Sequence, residues 1–170
     1  RNPALFIERY KQIDDDFLKK SFEEFPSFSI LDEIYPWDLS EIYNPPALLF
    51  YQGNIDLLEL PKVAVVGSRD SSKLGNQSVQ KIIKELNNEL IIVSGLARGI
   101  DTAAHMAALQ NGGRTIAVIG TGLDVFYPKA NKKLQSYIGK NHLVLSEYGP
   151  GEQPLKFHFP ERNRIIAGLC

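Results

Sequence analysis

Between Lys62 and Cys170 the chain repeats one pattern four times: a short, almost wholly apolar run, a glycine-bearing loop, and then a stretch with helical spacing. The runs are VAVVG (Val63–Gly67), LIIVSG (Leu90–Gly95), TIAVIG (Thr115–Gly120) and HLVLSEY (His142–Tyr148). A strand wetted on one face alternates apolar and polar residues, whereas a strand apolar throughout must be covered on both faces. Parallel strands joined by crossover helices satisfy that requirement. Helices are expected where Val79, Ile82, Ile83 and Leu86 recur at helical spacing, over Asp101–Gln110, around Asn131–Ile138, and from ERNRIIAGLC onward. The expected class is α/β, a parallel sheet with helices on both faces.

The segment before Lys62 follows different rules. Leu5, Ile7, Tyr10 and Ile13 form a rough apolar face, and Asp14–Asp16 offer a cap before Phe17, so Pro3–Glu24 is expected to hold one or two helices. FPSFSILDEIYPWDLSEIYNPPALLFYQGN is rich in proline and aromatics and predicts an irregular but ordered arm. Within it Ala47–Tyr51 is a strand stopped by Gly53–Asn54. The division expected is 1–34 as a helical N-terminal remnant, 35–61 as a lead-in arm with an extra strand, and 62–170 as the core. At the far end Ile165, Ile166, Ala167 and Leu169 form an apolar run with no sequence after it to cover them. Doubly wound sheets usually have five or six strands. The core is therefore expected to be C-terminally incomplete, marginal in stability and prone to associate through an open edge.

Charge is distributed unevenly. Residues 1–61 carry 5 Lys/Arg against 12 Asp/Glu, a net −7, and residues 62–170 carry 14 against 8, a net +6. A basic body of that kind suits a polyanionic partner. The one cysteine, Cys170, excludes an internal disulfide and is expected to be a small packed side chain. No apolar run approaches the roughly 18 residues of a membrane span, and the first residues lack the basic-then-apolar layout of a leader. A cytoplasmic protein without membrane attachment is expected.

Ligands of parallel α/β sheets sit at the carboxyl ends of the strands. There the chain places GSRDSSKLG, SGLARGID, GTGLDVFYPKAN and SEYGPG. Glycines let backbone amides approach a ligand closely, and helix N-termini favour anions, phosphate above all. Candidate binding residues are Gly67, Ser68, Arg69, Gly95, Arg98, Gly99, Gly120, Gly122, Lys129 and Asn131, with Arg162 and Arg164 from the last segment and Lys73 as added charge. No G-x-x-x-x-G-K-[ST] loop is present, and GTGLDV has Val125 where the dinucleotide fingerprint has its third glycine. No cofactor is expected. Asp101 and His105 share a helical face and could hydrogen-bond, although a capping Asp beside a packed histidine is the simpler reading. His142 and His158 are expected to be structural, Asp124 and Glu147 show no pairing that demands acid–base work, and no catalytic residue is assigned.

Taken together, VAVVGSR, SGLARGIDTAAHMAALQNGG, TIAVIGTGLDVFYPKAN and LVLSEYGPGEQPLKFHFPERNRIIAGL resemble the DNA-processing protein A family, DprA, also called Smf. The YPWDLSEI and PPALLFYQGN segments resemble its lead-in, so the likeness runs from about Tyr35 to Cys170. The resemblance implies an extended Rossmann-like fold that binds single-stranded DNA without catalysis, with Arg69 and Lys129 contacting the strand. It also implies protection of incoming DNA and loading of the RecA recombinase during natural transformation and recombination, and a homodimer when full length. The family's sheet continues past R-N-R-I-I-A-G-L. Two other readings remain: a phosphoribohydrolase-like enzyme on a related sheet, whose P-G-G-x-G-T loop has no match here, and a fragment that neither folds nor binds alone.

Overall fold

The computed structural model describes residues 23, 25–86 and 89–170. The helices expected over Pro3–Glu24 therefore lie outside the described residues, Glu23 excepted. In chain order the elements are β1 (Ser27–Ser29), α1 (Trp37–Ser40), β2 (Leu48–Gly53), a 3₁₀ turn (Ile55–Glu59), β3 (Lys62–Ala64), α2 (Lys73–Glu85) and β4 (Ile91–Ser94). There follow α3 (Ile100–Gln110), β5 (Thr115–Ile119), a second 3₁₀ turn (Lys129–Asn131), α4 (Lys132–Asn141), β6 (Leu143–Ser146) and α5 (His158–Gly168).

All six strands join one sheet in the order β1-β2-β6-β5-β4-β3. The four expected core strands run parallel: Val63 pairs with Ile92, Val93 with Ile116, and Ala117 with Val144. The sheet is nevertheless mixed, because β2 pairs antiparallel with β6 (Phe50 with Ser146) and β1 antiparallel with β2 (Phe28 with Leu49). Strand β1 falls within the stretch expected to be a helical remnant. It consists of Ser-Phe-Ser and acquires its conformation by pairing with β2 rather than from local propensity.

Both faces of the sheet are covered. Ile91, Val93, Ile116, Val118, Leu143 and Leu145 point to the side closed by α1, α5 and the arm. On the opposite side Ile92 packs with Val79 and Ile83 of α2 and Ala104 and Ala108 of α3, while Ala117 and Val144 pack with Ile138 of α4. Alternate residues of each strand thus enter different but equally apolar layers, which is why the runs read as continuous.

The expectation of a bare apolar end is overturned. Ile165 is fully buried, and Ile166 and Leu169 are 3% and 2% exposed. The cover comes from the arm: Tyr35, Leu39 and the flanking Ile42 belong to the same cluster, and a side chain at Gly168 would collide with Ile42 and Leu39. β2 likewise occupies the free side of β6. Cys170, expected to be packed, is exposed.

His105 is enclosed within α3. Thr115 gives its one hydroxyl proton to the Ile92 carbonyl at 2.7 Å, so it accepts from the Nδ1–H of His105, also at 2.7 Å. Asp101 follows neither reading: its carboxylate accepts from the Ala97 amide at 3.3 Å, tying down the loop ahead of α3 rather than capping the helix or bonding to His105. Burial, reinforced by the positive charge of Arg162 and by His142, pushes the His105 pKa down to about 3.

Two outcomes are expected. Ile165→Ala should lower the unfolding free energy by about 2–5 kcal/mol in urea titrations, and Ala167→Ser on the exposed side of α5 should change it by less than about 0.5 kcal/mol. His105 stays neutral when folded but takes a proton near pH 6.5 when unfolded. Stability should therefore be full above about pH 6.5 and fall by up to ~1.4 kcal/mol per unit as pH drops towards 3, a slope that His105→Asn should flatten.

Candidate nucleic-acid interface

The carboxyl edge of the parallel strands carries the site. After β3 the chain continues extended, the Val65 amide donating to the Val93 carbonyl at 3.0 Å, and then turns outward through Gly67, Ser68 and Arg69, all exposed. The Ser72 hydroxyl accepts from the Gly75 amide at 3.0 Å and starts α2. Lys73 opens that helix on the outside and does not line the pocket described below.

The loop after β4 is pressed against this turn. The Ile100 amide donates to the Ser68 carbonyl at 3.1 Å, and Gly99 adopts φ +77° with no room for a side chain against Ser68 and Arg69. Leu96 adopts a left-handed φ of +56°, unfavourable for a residue with a Cβ. Asn131 holds it in place: its buried amide group donates to the Leu96 carbonyl at 2.9 Å and to the Thr102 hydroxyl at 2.8 Å. Asn131 is thus a loop anchor rather than an accessible contact.

Arg162 is also withdrawn from the rim. It is 3% exposed, and its guanidinium donates to the Gly95 carbonyl at 2.6 Å and to the Val118 carbonyl, bridging the ends of β4 and β5. A Cβ at Gly95 would run into that guanidinium and into the Asp101 carboxylate, so the glycine makes room for both. Burial lowers the Arg162 pKa to about 10, with Asp101 acting in the opposite direction, so the group remains charged at neutral pH. Arg164 is committed as well, to Glu147 at 2.6 Å and to the carbonyls of Asn44 and Glu161, both at 2.8 Å. Glu147 is thus engaged in an ion pair with Arg164. Asp124 likewise accepts from the Gly151 amide at 2.8 Å, which joins the third and fourth loops.

Above this braced floor a pocket of about 260 Å³ opens among Arg69, Gly95, Arg98, Gly120, Tyr127 and Phe159. A smaller one of about 140 Å³ adjoins it over Gly67, Asp101 and Arg162. The Arg69 guanidinium lies over the Phe159 ring, 5.1 Å from its centre, and Tyr127 packs against Phe159 at 5.3 Å. Arg98 stands 4.0 Å from Asp70, a well-exposed pair of small energetic weight. Lys129 is exposed beyond Pro128, which follows Tyr127 through a cis peptide. Gly120 contributes backbone to the pocket, and its carbonyl meets Nδ1 of His158 at 3.1 Å; Gly122 is tied to Glu152 by its amide at 2.9 Å. His158 is structural, stacked on Tyr148 at 3.8 Å, and His142 closes α4 through its backbone amide.

The aromatic component was not expected. Tyr127 comes from a loop position and Phe159 from the first turn of α5, neither within a periodic apolar pattern. The only signal for them in the sequence is a large ring next to Pro128 and Pro160. Among the described residues no group of three His, Cys, Asp or Glu side chains could hold a metal, and no helix is long and apolar enough to cross a membrane.

A mixed six-stranded α/β sheet, with a guanidinium-lined pocket at its carboxyl edge, defines a Rossmann-like domain. The chain belongs to the DNA recombination-mediator protein A family, whose model matches residues 27–170. It is 79% identical to DNA processing protein DprA of Streptococcus pneumoniae over the whole chain and 43% identical to protein Smf of Synechocystis over 99% of it. The chain spans 60% and 41% of the lengths of those two relatives. The crystal structure of the pneumococcal protein superposes with a TM-score of 0.97, covering the whole chain and 60% of that protein. A solved structure of DNA processing protein A from Helicobacter pylori, described for a unique single-stranded DNA binding mode, is 34% identical. It superposes with a TM-score of 0.74 over 85% of this chain and 66% of its own.

Arg162→Ala should cost about 3–5 kcal/mol of unfolding free energy, because it removes two buried hydrogen bonds and a cation that offsets the charge of the buried Asp101 carboxylate. Arg98→Ala, at an exposed position, should cost less than about 0.5 kcal/mol in the same titration.

Proposed function

We propose that the chain binds single-stranded DNA without sequence preference, gripping phosphates at the carboxyl edge of its sheet and performing no chemistry on them. The observation that carries this reading is Arg69: an exposed guanidinium held over an aromatic ring at the mouth of a pocket. A fork of N–H donors suits phosphate oxygens, and the adjacent Tyr127 and Phe159 faces suit an unstacked base. Arg98 and Lys129 add phosphate contacts on either side. Gly67, Ser68, Gly95, Gly99, Gly120 and Gly122 let the backbone come close, while Asn131, Arg162 and Arg164 act through the loops they hold. Further support comes from the Helicobacter relative, described as binding single-stranded DNA.

In this reading the protein works in the cytoplasm without a cofactor, in natural transformation and recombination. It shields incoming strands and helps to load RecA, as a homodimer when full length.

The test is fluorescence anisotropy with a labelled oligo(dT) of about six nucleotides, near the lower end of single-strand site sizes. With three to five phosphates neutralised, log K should fall against log salt with a slope of about −2 to −3.5 at roughly 0.7 per contact. Arg69→Ala should weaken binding by about 1.5–3 kcal/mol, and Arg69→Lys should recover only part of it, because an ammonium cannot reproduce the fork. A flat salt response, or a strong preference for one base sequence, would overturn the proposal.

A further inference from the structure

The basic surface does not stop at the pocket. Tyr127 and Pro128 line the pocket, whereas Lys129 lines a shallow depression on α4 together with Lys132, Lys133, Tyr137 and Lys140. All four lysines are exposed, and no acidic residue occurs from Val125 to Ser146. Among the described residues none of the four forms an ion pair. Lys132 instead lies over the Phe126 ring at 4.9 Å. Clustered cations without counter-charges create a positive field that a polyanion relieves.

Beside this strip runs an apolar groove between α3 and α4, floored by Met106, Leu109 and Leu134 and edged by Lys133 and Tyr137. Tyr137 is 52% exposed and belongs to both surfaces. A lysine row parallel to an apolar trough, with an aromatic ring at the seam, discriminates among anions. A duplex offers phosphates but keeps its base faces stacked inside. A lipid surface is broad, whereas the trough is concave. A single strand offers phosphates on one side and free base faces on the other.

We infer that the α3–α4 groove carries the continuation of a single DNA strand leaving the pocket, its phosphates along Lys129, Lys133 and Lys140 and a base stacked on Tyr137. The inference rests on the pocket being a single-strand site, since Lys129 joins the two surfaces. Ten residues of α4 extend about 15 Å at 1.5 Å per residue, enough for roughly four nucleotides at the ~3.4 Å spacing of a stacked strand.

The experiment compares oligo(dT) of about six and about twenty nucleotides, spanning the usual range of single-strand sites. The proteins are wild type, K133A/K140A, Tyr137→Ala and Tyr137→Phe, with melting temperatures checked for each. For the long strand the double variant should bind with a salt slope about 1.4 smaller in magnitude, two contacts at roughly 0.7 each. Tyr137→Ala should lose about tenfold in affinity, within the range for one stacked base, and Tyr137→Phe should bind like wild type. The short strand should bind all four alike. Unchanged long-strand binding in both the double variant and Tyr137→Ala, with wild-type binding of the short strand intact, overturns the groove and leaves the pocket standing. So does lysine-dependent binding to phosphatidylglycerol vesicles with DNA binding unaffected. Failure of wild type to bind either strand overturns the pocket and the groove together.

Discussion

One buried guanidinium holds the two halves of the carboxyl edge together. Arg162 reaches from α5 through the gap left by Gly95 and binds backbone carbonyls at the ends of two neighbouring parallel strands. Those strands lead into the loops bearing Arg98 and Tyr127. Anchoring the carbonyls therefore sets the separation of the loops, and with it the width of the pocket. The same interaction places Phe159, three residues earlier on α5, under Arg69. Removing a cation from water is costly, and here the cost is offset by two carbonyls and the nearby Asp101 carboxylate.

The regular part of the fold was legible because period and composition agreed over Lys62–Ser146, where every strand is apolar on both faces. Two features were not legible, both for the same reason. Ser27–Ser29 has no strand-like sequence beyond Phe28, and Ile165, Ile166 and Leu169 have no cover among their sequence neighbours. Each is satisfied by residues about twenty, and in the second case more than a hundred, positions away. Local pattern does not report a partner at such a distance.

The site divides along similar lines. Glycine loops at strand ends marked its position, and Arg69 and Lys129 are exposed there. Arg162, expected among the phosphate-binding residues, is buried, and the sequence carries a sign of it. It lies three, four and seven residues before Ile165, Ile166 and Leu169, the spacing of a single helix face, and that face is buried. Arg164 lies off this stripe and pairs at the surface with Glu147. Tyr127 belongs to a loop without period and Phe159 to the first turn of a distant helix, so only the folded arrangement shows that they meet.

The packing of the arm against α5 also fixes an order of events. Leu39 and Ile42 touch Gly168, and Phe50 pairs with Ser146, so the arm finds its partners in segments made about a hundred residues or more after it. On a ribosome adding about 5–20 residues per second, the arm waits for several seconds with Phe28, Leu39 and Leu49 uncovered. The helical face of the sheet formed by α2, α3 and α4 draws on nearer neighbours and closes earlier. Closure of the arm is thus the late, long-range step of folding, slowed by the entropy of joining distant chain segments. During that interval the nascent chain presents an unfinished apolar layer to chaperones and to other copies of itself.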